Sequence, residues 1–168
     1  MGEALPDSKT TGMDNLAGKY LTFVLGKEHY GINILKVREI IGLMEITAVP
    51  HTPQYLKGVI NLRGRVIPVV DLRMKFHMNS QEYTDRTCII VVEVQDQTGV
   101  IQIGMVVDSV SEVLNVAGAD VEPPPSFGKQ ITGMQNILGM AKANDSVTSL
   151  LDIDRIVDVG DVHDFQKN

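Results

Sequence analysis

Residues Gly58 to Asp71 read Gly-Val-Ile-Asn-Leu-Arg-Gly-Arg-Val-Ile-Pro-Val-Val-Asp. Two apolar runs meet at Arg63-Gly64, and glycine accepts positive φ at little steric cost, so a tight reversal is easy there. The pattern predicts a β-hairpin, with a strand to about Leu62, a turn at Arg63-Gly64 and a strand over Val66–Asp71. Pro68 lacks an N–H, so its strand is expected to be an edge or to carry a bulge. An Arg at such a tip does not belong in a core; it is solvated or aimed at a partner.

The rest of the chain limits what this hairpin can serve. At 168 residues it makes one domain, or one domain of two lobes, with a substantial core. Fifteen Gly and seven Pro favour a turn-rich β protein. A net charge of −6 lacks the basic footprint of a nucleic-acid binder, and the absence of Trp leaves few stacking platforms. The single Cys88, inside an apolar run, excludes a disulfide framework within the chain and suggests a reducing compartment. No run reaches the roughly 18–20 apolar residues of a membrane helix, and Met1–Lys19 has no signal-peptide apolar region. A cytoplasmic protein without direct membrane insertion is expected.

In order, residues 1–18 read as a disordered leader. Tyr20–Leu25 and His29–Ile32 read as strands around a turn, and Ile34–Ile41 as a mixed segment. Thr52-Pro53 is expected to open a short helix through about Lys57. Met74–Asp85 is a polar connector. Thr87–Val94 reads as a strand buried on both faces, followed by strands at Val100–Val107 and Ser109–Val116. After a Pro-rich spacer, Ile131–Ala141 and Ser146–Val157 close the fold, and residues 161–168 form a polar tail.

The halves resemble each other. Tyr30–Ile41 lies over Ile103–Leu114 with Gly, Val and Glu coinciding; Gly58–Gly64 lies over Gly133–Gly139; Val69-Val70-Asp71-Leu72 lies over Leu150-Leu151-Asp152-Ile153. Three matches in one order argue for two lobes, about residues 20–77 and 86–157, each a small barrel of short strands. In this register Leu138 stands where the first half has Arg63.

No catalytic or metal-binding pattern emerges. His29, His51, His77 and His163 share no ligand spacing, and no phosphate-binding glycine loop or nucleophile elbow occurs. Asp71 and Asp152 end equivalent strands. Paired carboxylates can do acid–base work, but repeat-equivalent Asp residues more often cap turns. Glu39, among apolar Val37 and Ile40, suits either a solvated strand end or the charged rim of an interface. Arg63, with five donors on a directed tip, suits a partner carboxylate.

The stretches Tyr30–Ile40, Thr52–Lys57 and Gly58–Arg73 resemble the CheW family of bacterial chemotaxis coupling proteins, over about Lys19 to Gly160. The resemblance implies a mainly β fold of two intertwined five-stranded barrels of Src-homology-3 (SH3-like) topology, with a groove between them. It implies a non-enzymatic adaptor, without cofactor or metal. Such an adaptor links the helical-hairpin tip of transmembrane chemoreceptors to the regulatory domain of the histidine kinase CheA, in arrays at the membrane. Receptor-contact positions of the family fall on Val37, Glu39, Gly58 and Arg63, and second-half partner contacts on Gly104 and Val113. An adaptor for another receptor–kinase pathway of the same type fits the same residues.

Overall fold

The computed structural model describes residues 15–79, 81–96, 99–124, 136–143 and 145–156. Most of the leader, much of the spacer and the polar tail lie outside these residues. Eleven strands follow one another: β1 (Gly18–Leu25), β2 (Glu28–Asn33), β3 (Val37–Gly42), β4 (Leu56–Leu62), β5 (Arg65–Asp71), β6 (Cys88–Asp96), β7 (Gly99–Val107), β8 (Ser109–Val116), β9 (Val121–Glu122), β10 (Ile137–Ala143) and β11 (Ser146–Leu151). Single turns of 3-10 helix stand at Ile34–Lys36 and Gly118–Asp120, and short α-helices at Leu72–Lys75 and Ile153–Ile156.

The strands form two sheets, ordered β3-β6-β7-β5-β4 and β8-β1-β2-β11-β10-β9. Each sheet therefore takes strands from both sequence halves. The hairpin β1–β2 leaves the first half to pair with β8 and β11, and β6–β7 leaves the second half to pair with β3 and β5. These are two intertwined SH3-like barrels of five strands each, with β9 as a two-residue addition.

Burial follows from that exchange. On β6, Ile90 and Val92 face one apolar cluster while Ile89 and Val91 face another. This is why the run is apolar without alternation: both faces are covered. The larger cluster joins the barrels, since Phe23, Leu25 and Ile32 of one sheet pack with Val70, Ile90 and Met105 of the other.

The register confirms two of the three repeat matches. Gly31 and Gly104 take equivalent places opposite Leu150 and Val69 in the parallel pairs β2·β11 and β5·β7. Asp71 and Asp152 both donate their backbone N–H to the carbonyl just before the facing strand, Tyr55 and Asn136. The middle match shifts. The bulges fall at Gly58 in β4 and Gly139 in β10, so these glycines correspond, and Leu138 aligns with Lys57 rather than Arg63. Both glycines allow a close approach: a Cβ would lie 2.0 Å from the Thr47 carbonyl oxygen at Gly58, and 2.7 Å from Val121 Cγ1 at Gly139.

Two further expectations change. No helix follows Pro53: Leu56 N–H closes a turn onto the Pro53 carbonyl, and β4 starts there because Leu56 is buried opposite Val70. Pro68 lies on an interior strand without a bulge of its own. Its partner Val59 spends both backbone groups on Thr47, so Pro68 N faces away from β4, and the ladder to β7 starts only at Val69. No donor is missed.

Candidate functional site

Leu62 and Arg65 close the β4–β5 hairpin around Arg63 and Gly64, with φ of +52° and +86°. Two positive φ values make the two-residue turn whose twist matches the flanking strands. Asn61 Oδ1 accepts the Gly64 N–H at 2.9 Å and fixes the turn. Glycine at 64 is at ease there. Arg63 is not: the left-handed region costs a β-carbon-bearing residue about 1–2 kcal/mol.

The Arg63 guanidinium donates to the Glu39 carboxylate. Glu39 is on β3 and Arg63 on the tip of β4–β5, at opposite edges of the five-stranded sheet. The sheet has curled until its edges meet, and the ion pair spans the closure. The Arg63 side chain remains 67% exposed and that of Glu39 33%. The sequence picked these residues separately; the fold makes them one feature.

The other candidates divide. Val37 is half-buried, pairs with Val92 and leans on the core shared by the barrels. Gly58 (φ +148°) is buried under Thr47, whose backbone exchanges two hydrogen bonds with Val59, at 2.8 and 2.9 Å. Gly104 is buried in β7, where a Cβ would come 2.8 Å from Ile89 Cγ2. Neither glycine presents a face to solvent; both let backbone pack closely beneath the surface. Val113 on the outer strand β8 is half exposed. It corresponds to Ile40 on β3, also exposed, as Glu112 corresponds to Glu39. Ile40, Leu43 and Val66 are exposed apolar side chains, Ile40 following Glu39 in β3 and Val66 following the Arg63-Gly64 turn in β5. The sequence reading passed over Val66, which alternation alone assigns to neither face.

The aspartates that might have suggested catalysis are structural. Asp71 caps the Leu72–Lys75 helix through the Met74 N–H at 3.3 Å and accepts the Tyr83 hydroxyl at 3.0 Å. Burial first, and then that carboxylate, push the Tyr83 phenol upward. Asp152 Oδ1 accepts the Asp154 N–H. Among the described residues, no three of His, Cys, Asp and Glu converge as a metal would require.

Among the described residues, Arg73 forms the most buried ion pair. Its Nε and Nη2 donate to Asp108 at 2.8 and 2.6 Å, and Asp108 also accepts the Gly26 N–H at 2.7 Å. Arg73 follows β5 in one sheet, while Gly26 closes the β1–β2 turn in the other, so the pair ties the barrels together. The guanidinium, helped by the Gly26 N–H, holds the Asp108 carboxyl below its ordinary value against a desolvation cost.

Two interlocked small barrels, one closed by an exposed ion pair, define a fold of SH3-like type. The family model described as "CheW-like domain" matches residues 19–160. The chemotaxis protein CheW of Klebsiella aerogenes is 35% identical over 150 residues, covering 89% of this chain and 87% of that protein. The chemotaxis protein CheW of Helicobacter pylori is 32% identical over 140 residues, with 83% and 81% covered. The crystal structure of the scaffolding protein TtCheW from Thermoanaerobacter tengcongensis superposes with a TM-score of 0.71 at 34% identity, covering 80% of this chain and 88% of that one. This chain belongs to the CheW family.

Proposed function

We propose that the protein is a non-enzymatic adaptor that couples transmembrane chemoreceptors to the histidine kinase CheA and joins them in arrays at the membrane. The observation that carries this is the Glu39–Arg63 pair at the barrel closure, held by a backbone that costs energy to maintain. An exposed guanidinium, with exposed Ile40 next to Glu39 and Val66 just past the turn in sequence, suits the rim charges and apolar face of a helical hairpin. Val37 and Glu39 support the same face; Gly58 sets the hairpin's position from beneath. Val113, half exposed on β8 of the other sheet, offers a second partner face, and Gly104 lies in β7 of the five-stranded sheet.

The test is co-sedimentation of receptor fragment and CheA with and without the protein, together with the kinase activity of the pellet. The wild-type chain is expected to bring CheA down with receptor and raise its activity. Arg63→Ala is expected to keep the wild-type circular dichroism spectrum and lose much of both. A folded Arg63→Ala that couples like wild type would refute the assignment of Arg63; wild-type protein that recruits no CheA would refute the adaptor.

A further inference from the structure

Two hairpins at equivalent places in the repeat each close over two residues. Leu62 pairs with Arg65 across Arg63-Gly64, and Ala143 pairs with Ser146 at the tip of β10–β11. With Gly58 equivalent to Gly139, Asn61 falls on Lys142 and Gly64 on Asp145. The residues chosen for the two tips differ, and the difference centres on Asn61.

The second tip has Asn144-Asp145 in sequence, both residue types that enter the left-handed region readily because a short polar side chain bonds the local backbone. Asp145 does so at φ +65°. Ser146 donates its hydroxyl to the Ala143 carbonyl at 3.0 Å and fastens that turn. Lys142 has no acceptor to offer a turn amide, and its ammonium goes to Glu122 at 2.7 Å. The first tip puts Arg63 at φ +52°, and a long cationic side chain gives its own backbone no such help. The help comes from Asn61, whose Oδ1 accepts the Gly64 N–H at 2.9 Å and so bridges the strained residue. Asn61 is exposed between buried Ile60 and Leu62, so its side chain adds nothing to the core.

We propose that Asn61 is a positioning residue for receptor binding: it holds the turn in the conformation that carries the Arg63 guanidinium to Glu39 and to a receptor carboxylate. The inference rests on the reading of Arg63 as a receptor contact and adds the residue that aims it. One hydrogen bond of this kind is similar in size to the left-handed strain it spans. Without it the turn relaxes in a substantial share of molecules, and binding loses in proportion to the share still correctly aimed.

Titration calorimetry of the full chain with a receptor cytoplasmic fragment tests this in a double-mutant cycle. Asn61→Ala is expected to weaken binding about three- to tenfold, the worth of one such hydrogen bond. In an Arg63→Ala background the same substitution is expected to change affinity by less than about twofold, because no guanidinium is left to aim. Amide exchange at Gly64, read by nuclear magnetic resonance without receptor, is expected to quicken by about three- to tenfold. Should Asn61→Ala fail to fold, Asn61→Lys, which installs the residue type of the second tip, completes the cycle. An equal loss in both backgrounds would make Asn61 a contact in its own right and overturn the proposal, as would unchanged Gly64 exchange. Full affinity in Arg63→Ala would overturn the receptor reading and the proposal with it, whereas a loss in Arg63→Ala but none in Asn61→Ala overturns the proposal alone.

Discussion

Replacing Arg63 by Gly and by Ala separates what its backbone costs from what its side chain does. Both substitutions remove the ion pair to Glu39, which at its exposure contributes about 0–1 kcal/mol. They differ at φ +52°, where Ala retains the left-handed penalty of about 1–2 kcal/mol and Gly is free of it. Gly gives back about 0.5–1 kcal/mol through the larger freedom of its unfolded chain. Arg63→Gly is thus expected to be about 0.5–1 kcal/mol more stable than Arg63→Ala, a difference of about 1–4 °C in Tm for a chain of this size. Urea unfolding followed by circular dichroism, with equal m-values, measures it. Receptor affinity is expected to fall equally in both. If Arg63→Ala is as stable as Arg63→Gly, the turn is not strained; if Arg63→Gly binds receptor like wild type, the guanidinium is not the contact.

Gly58→Ala drives a methyl into the Thr47 carbonyl at a φ only glycine accepts readily; a loss of about 3 kcal/mol or more is expected in the same unfolding assay, and a loss below 1 would mean the bulge relaxes freely. Asp108, with its native pKa held below the unfolded value, contributes stability that is full above about pH 4 and lost as pH falls through the native pKa. The acid limb of the stability profile is therefore expected to be shallower in Asp108→Asn, and an unchanged limb would assign it to other carboxylates. Receptor and kinase fragments are each expected to bind singly with micromolar Kd by titration calorimetry, arrays gaining strength by multivalency, and nanomolar binding by either isolated fragment would contradict that.

The hairpin at Arg63-Gly64 was legible because a two-residue turn is specified locally, and the buried strand at Cys88 because two-sided burial removes alternation. Asp71 and Asp152 were legible as caps for the same local reason. The exchange of hairpins was not legible in the pattern itself, since β1–β2 has the same alternation whichever sheet it joins; only the family resemblance, with its intertwined barrels, pointed to it. The middle repeat match misled because glycines at 133 and 139 both suit the motif; the choice of Gly139 is made by the approach of Val121, a contact distant in sequence. Helix propensity at Pro53 lost to the burial of Leu56. For the site, residue types pointed to Glu39 and Arg63, but only curling of the sheet shows that they are partners.

Arg73 and Asp154 correspond in the repeat but carry opposite charges, and this bears on how the chain avoids the simpler topology. In the first short helix stands Arg73, meeting Asp108; in the second, at the equivalent position, stands Asp154, meeting Lys36. Had each half kept its own hairpin, β5 would pair with β2 and β11 with β7. On the register that equates Gly31 with Gly104, Arg73 would then come beside Leu35 and its neighbour Lys36, and Asp154 beside Ser109 and its neighbour Asp108. Like charges repel by up to about 4 kcal/mol, the value at about 4 Å and an effective dielectric of about 20, so the unexchanged fold is penalised at both ends where the exchanged one is rewarded. Reversing one pair, Arg73→Asp with Asp108→Arg, keeps the attraction of the exchanged fold but makes the wrong pairing attractive too. Refolding from urea is expected to lose yield and to show a second, slower phase in that double variant, while Arg73→Lys refolds like wild type. Wild-type refolding of the double variant would show that apolar packing in the shared core alone selects the exchange.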